Sequence, residues 1–145
     1  MAMRAPTSDA WNAAVLRNGG SFLQSWEWGS LQERLGKQVR RLEVNGLAVS
    51  IIAQPLPFGR RYLYAPRGPV PTGAAAAETW RAFTEAASAA FAAPEPIFLR
   101  IEPGERLDAP RRRAIGAAAF RPATPVQPTA TIVLDLTETE GALLK

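Results

Sequence analysis

Residues 38–65, QVRRLEVNGLAVSIIAQPLPFGRRYLYA, decide the fold, because three strand patterns follow one another with a turn signal between each pair. Asn45-Gly46 favours positive φ at both central positions of a type I′ turn and predicts a hairpin between strands Gln38–Val44 and Leu47–Gln54. Prolines and a glycine in residues 55–59 end the second strand, and Arg60–Ala65 alternates as a third. One face of the second strand is apolar, with Leu47, Val49, Ile51 and Ala53. We therefore expect an antiparallel meander.

Two helical patterns precede this meander. Residues 7–17 have apolar residues at helical spacing, with Thr7 or Ser8 as the N-cap. Ser25 is a suitable N-cap for a second helix over residues 26–35. Gly36, just past the second helix, is typical of a helix end.

The second half of the chain alternates helices with strands. Residues 74–92, rich in Ala, and residues 109–118, with Asp108 as N-cap, predict two helices. The apolar stretch Ile97–Ile101 predicts a strand between them, and the alternation of Thr129–Leu136 predicts a last strand. Thr137 with Glu140 matches a capping box for a final helix.

The resulting order of elements, α-α-β-β-β-α-β-α-β-α, predicts the fold class. We expect an α+β fold in which a mixed, mostly antiparallel sheet is flanked by helices, with residues 1–145 as a single domain. The final helix runs out at Lys145 after about two turns. We therefore expect that the native chain continues beyond this residue.

Composition limits the chemistry. The 145 residues include neither cysteine nor histidine, which excludes disulfides, thiolate metal sites and histidine-based catalysis. The sequence lacks an apolar run long enough for a transmembrane helix. The net charge is +4, and the basic residues are almost all arginine. That balance fits a polyanionic partner such as RNA, and equally an arginine-rich composition without such a partner.

Common nucleotide-binding motifs are absent. Neither GxxxxGK[ST] nor GxGxxG occurs, and Gly19-Gly20 follows a predicted helix, where it is best explained as a C-cap. The carboxylate pairs Glu102/Glu105 and Asp135/Glu138 flank turns and caps, so local capping explains them more simply than acid–base catalysis.

Four other features resist such simple explanations. Trp26 and Trp28 cannot share a helix face, so one can enter the core while the other lines a groove or meets another element, unless both are half-buried anchors. Residues 62–69, YLYAPRGP, place Arg67 in a loop held by prolines, where it could bind phosphate or carboxylate or serve only structure. Residues 98–103, FLRIEP, put Arg100 and Glu102 on one strand face, which favours a mutual ion pair. The fourth feature is Gln127-Pro128-Thr129, which leads into the last predicted strand.

Taken in order, these stretches resemble the N-terminal half of the FemAB family, whose members add amino acids from aminoacyl-tRNA to the peptide stem of peptidoglycan precursors. The similarity covers nearly the whole chain with similar spacing. The matching stretches are FLQSWEWG at 22–29 with Leu35-Gly36, the basic strand Val39–Leu42, YAPRGPV at 64–70, FLRIEP at 98–103, Phe120-Arg121 and QPTATIVLDLT at 127–137.

The resemblance implies a fold related to the GNAT acetyltransferases, with this chain as the first of two such units. It implies an aminoacyltransferase as the full-length protein, without a cofactor, whose partners are aminoacyl-tRNA and a lipid-linked or nucleotide-linked precursor. We expect Trp26, Trp28, Arg67 and Gln127 to line the precursor groove, while the catalytic residues stay unassigned and no metal is expected. The expected location is cytoplasmic, with peripheral contact at the inner face of the membrane as an open alternative.

One departure from the family and two rival functions stay open. Some relatives have a lysine on the helix after the tryptophan pair that contacts precursor phosphates. Residues 29–33, GSLQE, contain none, and Arg34 and Lys37 are the nearest substitutes. A stand-alone GNAT-type N-acetyltransferase would need a pyrophosphate loop of the form R/QxxGxG/A, and no such run occurs. The second rival is a non-catalytic binding module.

Overall fold

The computed structural model of the chain describes residues 6–72, 76–104, 107–132 and 134–143. It is an α+β fold with a mixed, mostly antiparallel sheet flanked by helices, as the sequence predicts. The helices are α1 Ser8–Arg17, α2 Trp26–Arg34, α3 Ala77–Ala90, α4 Ala109–Ala117 and α5 Glu140–Leu143. The strands are β1 Val39–Val44, β2 Leu47–Pro55, β3 Arg61–Ala65, β4 Val70–Pro71 and β5 Leu99–Ile101. Single 3₁₀ turns form at Phe22–Gln24 and Pro57–Gly59.

The sheet begins with the predicted meander. β1, β2 and β3 pair antiparallel in chain order, and Asn45 and Gly46 both have positive φ in the hairpin turn. β4 pairs with the start of β2, at Leu47 and Ala48, on the edge where β3 pairs with the end of β2. β5 then pairs with β3 in parallel, which is the direction that the intervening α3 crossover permits.

β2 is buried on both faces, because helices cover both sides of the sheet. One face packs on α3 and α4 in a cluster of Leu47, Val49, Ile51, Ala53, Leu63, Ala65, Trp80, Phe83, Ala87, Phe91 and Ile115. The other face packs on α1 through Trp11, Val15 and Ala48, with Trp26 of α2 against them. The predicted apolar face of the second strand is therefore confirmed, and its opposite face is also buried.

The helix caps follow the sequence. Thr7 and Ser25 accept hydrogen bonds from Ala10 N and Trp28 N, at 3.3 and 3.1 Å, and Asp108 caps α4 by accepting from Arg111 N. A side-chain oxygen at each start satisfies a backbone N–H that has no partner within the helix.

Near the C-terminal end one predicted element, the last strand, is wrong, and the final helix begins later than predicted. The described residues of Thr129–Leu136 form no strand, since they have no partner strand and their apolar side chains are exposed; Val133 lies outside the described residues. The last helix begins at Glu140 rather than after Thr137, because the Thr137 N–H and hydroxyl both bind the Asp135 carboxylate in a turn. None of the helices in the described ranges has the length and apolar character needed to cross a membrane.

Candidate functional site

Gln24 links the stretch FLQSWEWG to the middle of the sheet. Its fully buried side chain accepts from Ser50 N at 2.7 Å and donates to Ser50 O at 3.2 Å. It also donates to Pro66 O at 2.7 Å. The Gln24 carbonyl accepts from the Trp11 indole at 2.7 Å. Gln24 therefore holds α1 through its backbone carbonyl, and β2 and the loop after β3 through its side-chain amide.

The loop after β3 passes close to this amide. A Cβ added at Gly68 would lie 2.6 Å from Gln24 Cδ, so only glycine fits there without displacing Gln24. Arg67, with φ 50°, sends its guanidinium outward and donates to Pro128 O at 2.6 Å. The position of Arg67 thus depends on the contact between Gln24 and Gly68.

Three side chains from distant parts of the chain form a polar cluster beside this loop. Tyr64 donates to the Glu102 carboxylate at 2.6 Å, and Gln127 Nε2 donates to the Tyr64 oxygen at 2.9 Å. Glu102 also accepts from the backbone N–H groups of Val126 and Gln127. Parallel pairing of β3 with β5 sets Tyr64 opposite Arg100, which brings Glu102 within reach. The cluster joins β3, β5 and the segment after α4.

The cluster holds Tyr64 in its protonated form. Burial, together with the hydrogen bond to Glu102, raises the pKa of Tyr64 to about 12. Arg100 lies 3.8 Å from Glu102, which is the ion pair predicted from the sequence, and it also donates to Thr124 O. At neutral pH the phenol is therefore a hydrogen-bond donor that positions Glu102, and it is unsuited to act as a base.

A cleft of about 570 Å³ opens beside the cluster, between β5 with α4 and the segment 120–129. Its size suits a small ligand or a short peptide. Its walls are mostly apolar. The apolar lining consists of Phe98, Leu99, Ile101, Pro103, Leu107, Ile115, Phe120, Pro122, Ala123, Pro125 and Pro128.

The charged side chains around this cleft are mostly positive. Among the described residues that line it, four are arginines and one is a glutamate: Arg67, Arg100, Arg112, Arg121 and Glu102. Glu102 is already bonded to Tyr64 and the backbone, and Arg112 donates to Leu107 O. The cleft is therefore suited to an anionic ligand with an apolar body. In the described part of the chain, no three acidic side chains gather where they could share a metal ion.

The structure brings together two of the four predicted binding residues. Arg67 and Gln127 both line the cleft. Trp26 and Trp28 do not line it, since α2 packs on the sheet face opposite α4. Arg41 stacks over the Trp26 ring at 4.0 Å, and Trp28 meets Phe22 edge-on at 5.7 Å. Both tryptophans are half-buried, as in the anchor interpretation of this pair.

Sequence reasoning missed Glu102 and Tyr64 as partners of Gln127. From the sequence, local capping or the pair with Arg100 accounts for Glu102, and nothing local links it to Tyr64 or Gln127. The alternation of β3 and β5 gives the faces of Tyr64 and Glu102, but their contact needs the parallel register of the two strands. Arg121 belongs to the Phe120-Arg121 pair of the resemblance, but that pair did not mark it as a residue of this cleft, and Arg112 belongs to none of the matching stretches.

Comparison of the chain with models of protein families, with curated proteins and with solved structures finds no match.

Proposed function

We propose that this chain is the N-terminal domain of a FemAB-like aminoacyltransferase, and that its cleft binds the acceptor, a peptidoglycan precursor. The full-length enzyme would move an amino acid from aminoacyl-tRNA to an amine of the precursor peptide. The α+β fold class agrees with the GNAT-like unit that the resemblance implies.

One observation supports the proposal above others: separate stretches of the resemblance meet at one cleft. Tyr64 of YAPRGPV, Glu102 of FLRIEP and Gln127 of QPTATIVLDLT form a single hydrogen-bonded cluster. Gln24 of FLQSWEWG holds the loop that carries Arg67. A stretch that matches a family by itself is a weak signal. Stretches that match the same family and also contribute to one site give the resemblance stronger support.

The proposed reaction needs little from the protein beyond orientation. The acceptor amine attacks the ester carbonyl of aminoacyl-tRNA, the amide bond forms, and the ester C–O bond breaks. The leaving tRNA hydroxyl takes up a proton, and the attacking amine gives one up. Holding the amine near the carbonyl supplies much of the rate, and donors near the carbonyl oxygen stabilise the developing charge. Arg67 and Gln127 would act in this domain by holding the acceptor.

The test is amino-acid transfer by the complete gene product from charged tRNA to a lipid-linked or nucleotide-linked precursor. We expect transfer with at least one charged tRNA, and a loss of roughly tenfold or more in kcat/KM for the precursor in Arg67→Gln. Arg17→Gln, at an exposed position of α1 outside the cleft, is the matched control and should keep full activity. Failure to transfer with every charged tRNA would contradict the proposal. Precursor binding without transfer would favour the binding module, and acetyl-coenzyme A turnover would favour an acetyltransferase.

A further inference from the structure

β5 is an edge strand whose outer side faces the cleft. In its parallel pairing with β3, Leu63 N donates to Phe98 O and Glu102 N donates to Ala65 O. The register places Arg100 between these two bonds, so its backbone groups also face β3. The N–H and C=O groups of Leu99 and Ile101 therefore point to the other side, and among the described residues they have no hydrogen-bond partner.

The opposite wall of the cleft cannot pair with this edge as a regular strand. Pro122, Pro125 and Pro128 lack the N–H groups that a ladder requires. Side chains also occupy the backbone groups between them. Arg100 binds Thr124 O, Glu102 binds the N–H groups of Val126 and Gln127, and Arg67 binds Pro128 O. The segment is thus held across the cleft from β5, and the edge stays available.

We propose that the cleft binds an extended acidic peptide as an added strand on the free edge of β5. The peptide backbone would bond to the N–H and C=O groups of Leu99 and Ile101, and alternate side chains would contact the apolar walls. The peptide's carboxylate would meet the excess of arginine, where Arg121 is exposed and has no partner within the described residues. This proposal rests on the proposed function only for the identity of the natural peptide, which would then be the precursor stem.

The binding experiment needs neither tRNA nor transfer. The probe is a synthetic pentapeptide of alanine and valine with one glutamate and a free carboxyl end, titrated into the chain while amide spectra and hydrogen exchange are followed. We expect the amides of Leu99 and Ile101 to become protected, while that of Arg100 changes little because it already faces β3. Binding that succeeds while the transfer assay fails would overturn the proposed function and leave this proposal standing.

Two modified peptides separate strand addition from simple charge attraction. N-methylation at alternate amides removes the donors on one side of the peptide only. One of the two alternating patterns should abolish binding while the other retains it, since a strand directs alternate amides to opposite sides. If both patterns bind equally well, or if neither binds, the strand-addition mode is wrong.

A neutral peptide and an arginine variant of the chain test whether binding requires opposite charges. A peptide with glutamine for glutamate and an amidated end should bind at least about tenfold more weakly, as should the acidic peptide to Arg121→Gln. Arg113→Gln removes the same charge from α4 outside the cleft and should bind normally. Equal affinity of Arg121→Gln, Arg113→Gln and the unmodified chain would overturn the acidic-peptide assignment. Protection of Leu99 and Ile101 without any peptide would mean that residues of this chain already occupy the edge, and it would overturn the proposal.

Discussion

Gln24 supplies with its side chain the hydrogen bonds that a neighbouring strand would otherwise give to Ser50. β3 pairs with β2 from Ile52 onwards and β4 pairs at Leu47 and Ala48, which leaves Ser50 between them without a strand partner on that side. The amide of Gln24 fills this gap with one acceptor and one donor. A buried polar group with all its bonds made is stable, but its neighbours lose their partners if it is removed.

We therefore expect Gln24→Ala to lower the free energy of unfolding by roughly 2–4 kcal/mol, because Ser50 and Pro66 lose their partners inside the protein. Chemical denaturation measures this change. Gln54→Ala, at a half-buried position of β2, is the control and should cost less than about 1 kcal/mol. Equal losses in the two variants would show that the amide bonds of Gln24 contribute little.

Gly68 and Gln24 should be energetically coupled. Gly68→Ala places a methyl group 2.6 Å from Gln24 Cδ, so it should destabilise the chain by about 1–3 kcal/mol in the wild-type background. In the Gln24→Ala background the methyl group has room, and the same substitution should cost at least about 1 kcal/mol less. A double-mutant cycle by denaturation measures the difference, and strict additivity would contradict the contact.

Tyr64 makes the free energy of unfolding depend on pH in the alkaline range. Its folded pKa of about 12 lies above the ordinary value of 10.0, so folding favours the protonated phenol. That stabilisation is fully present below about pH 10 and is lost as the pH rises through 12. Tyr64→Phe should flatten the fall in unfolding free energy across this range, whereas Tyr62→Phe, whose hydroxyl has no bond among the described residues, should not. Identical pH profiles for both variants would be inconsistent with the cluster.

At the scale of elements, two glycines inside helices have opposite surroundings. A Cβ on Gly116 of α4 meets nothing within 4 Å, whereas on Gly29 of α2 it would lie 2.4 Å from Arg41 Nη2. That guanidinium donates to Trp26 O at 2.9 Å and stacks over the Trp26 ring. Gly29 therefore makes room for the cation that joins α2 to β1.

Alanine substitutions should separate these two glycines. Gly116→Ala should raise the free energy of unfolding by about 0.5–1 kcal/mol, since alanine is the better helix former. Gly29→Ala should lose that advantage by displacing Arg41, and it should be at least about 1 kcal/mol less stable than Gly116→Ala. Thermal or chemical denaturation of both variants measures this difference. A similar gain in both would mean that Arg41 moves aside without cost.

The elements that the sequence predicts well are those fixed by local chemistry. Asn45-Gly46 determines its turn by backbone preference, and Thr7, Ser25 and Asp108 cap helices by bonds within three residues. The alternation of Thr129–Leu136 indicates only that this segment would have two different faces if it formed a strand. Whether it forms depends on a partner edge, which the chain's local sequence does not specify.

The exposed side chains of Thr129–Leu136 allow a test of the finding that this segment forms no strand. Ile132 is 88% exposed and Leu136 is 81% exposed, so Ile132→Ser and Leu136→Ser should each change the free energy of unfolding by less than about 0.5 kcal/mol. Leu63→Ala, at a position 1% exposed in the core, should cost about 2–5 kcal/mol and calibrates the measurement. A loss above about 1 kcal/mol at either serine variant would indicate that the segment packs as a strand after all.

At the scale of the whole molecule, the sheet separates the tryptophan pair from the cleft. Of the four residues expected with the resemblance to line a groove, Arg67 and Gln127 line the cleft, whereas the tryptophans beside Gln24 lie on the opposite face of the sheet. Tyr64 and Glu102 are 38 residues apart, and Tyr64 and Gln127 are 63 apart. Contacts over such distances follow from strand order and register, so the residue pattern alone could not give them. The family resemblance itself stays a prediction, and transfer by the complete gene product is its test.

The bridge made by Gln24 restricts how related sequences can diverge. Residues 66–69 must leave β3, pass beside the amide and enter β4, so an insertion there would shift Pro66 or Gly68 away from it. The turn at Pro57–Gly59 has no such constraint, since Phe58 is almost fully exposed. In an alignment of related sequences, insertions and deletions should therefore occur between β2 and β3 and be rare between β3 and β4. Among homologues of this domain, the connection between β3 and β4 should therefore keep a constant length, because the Gln24 side chain must contact it.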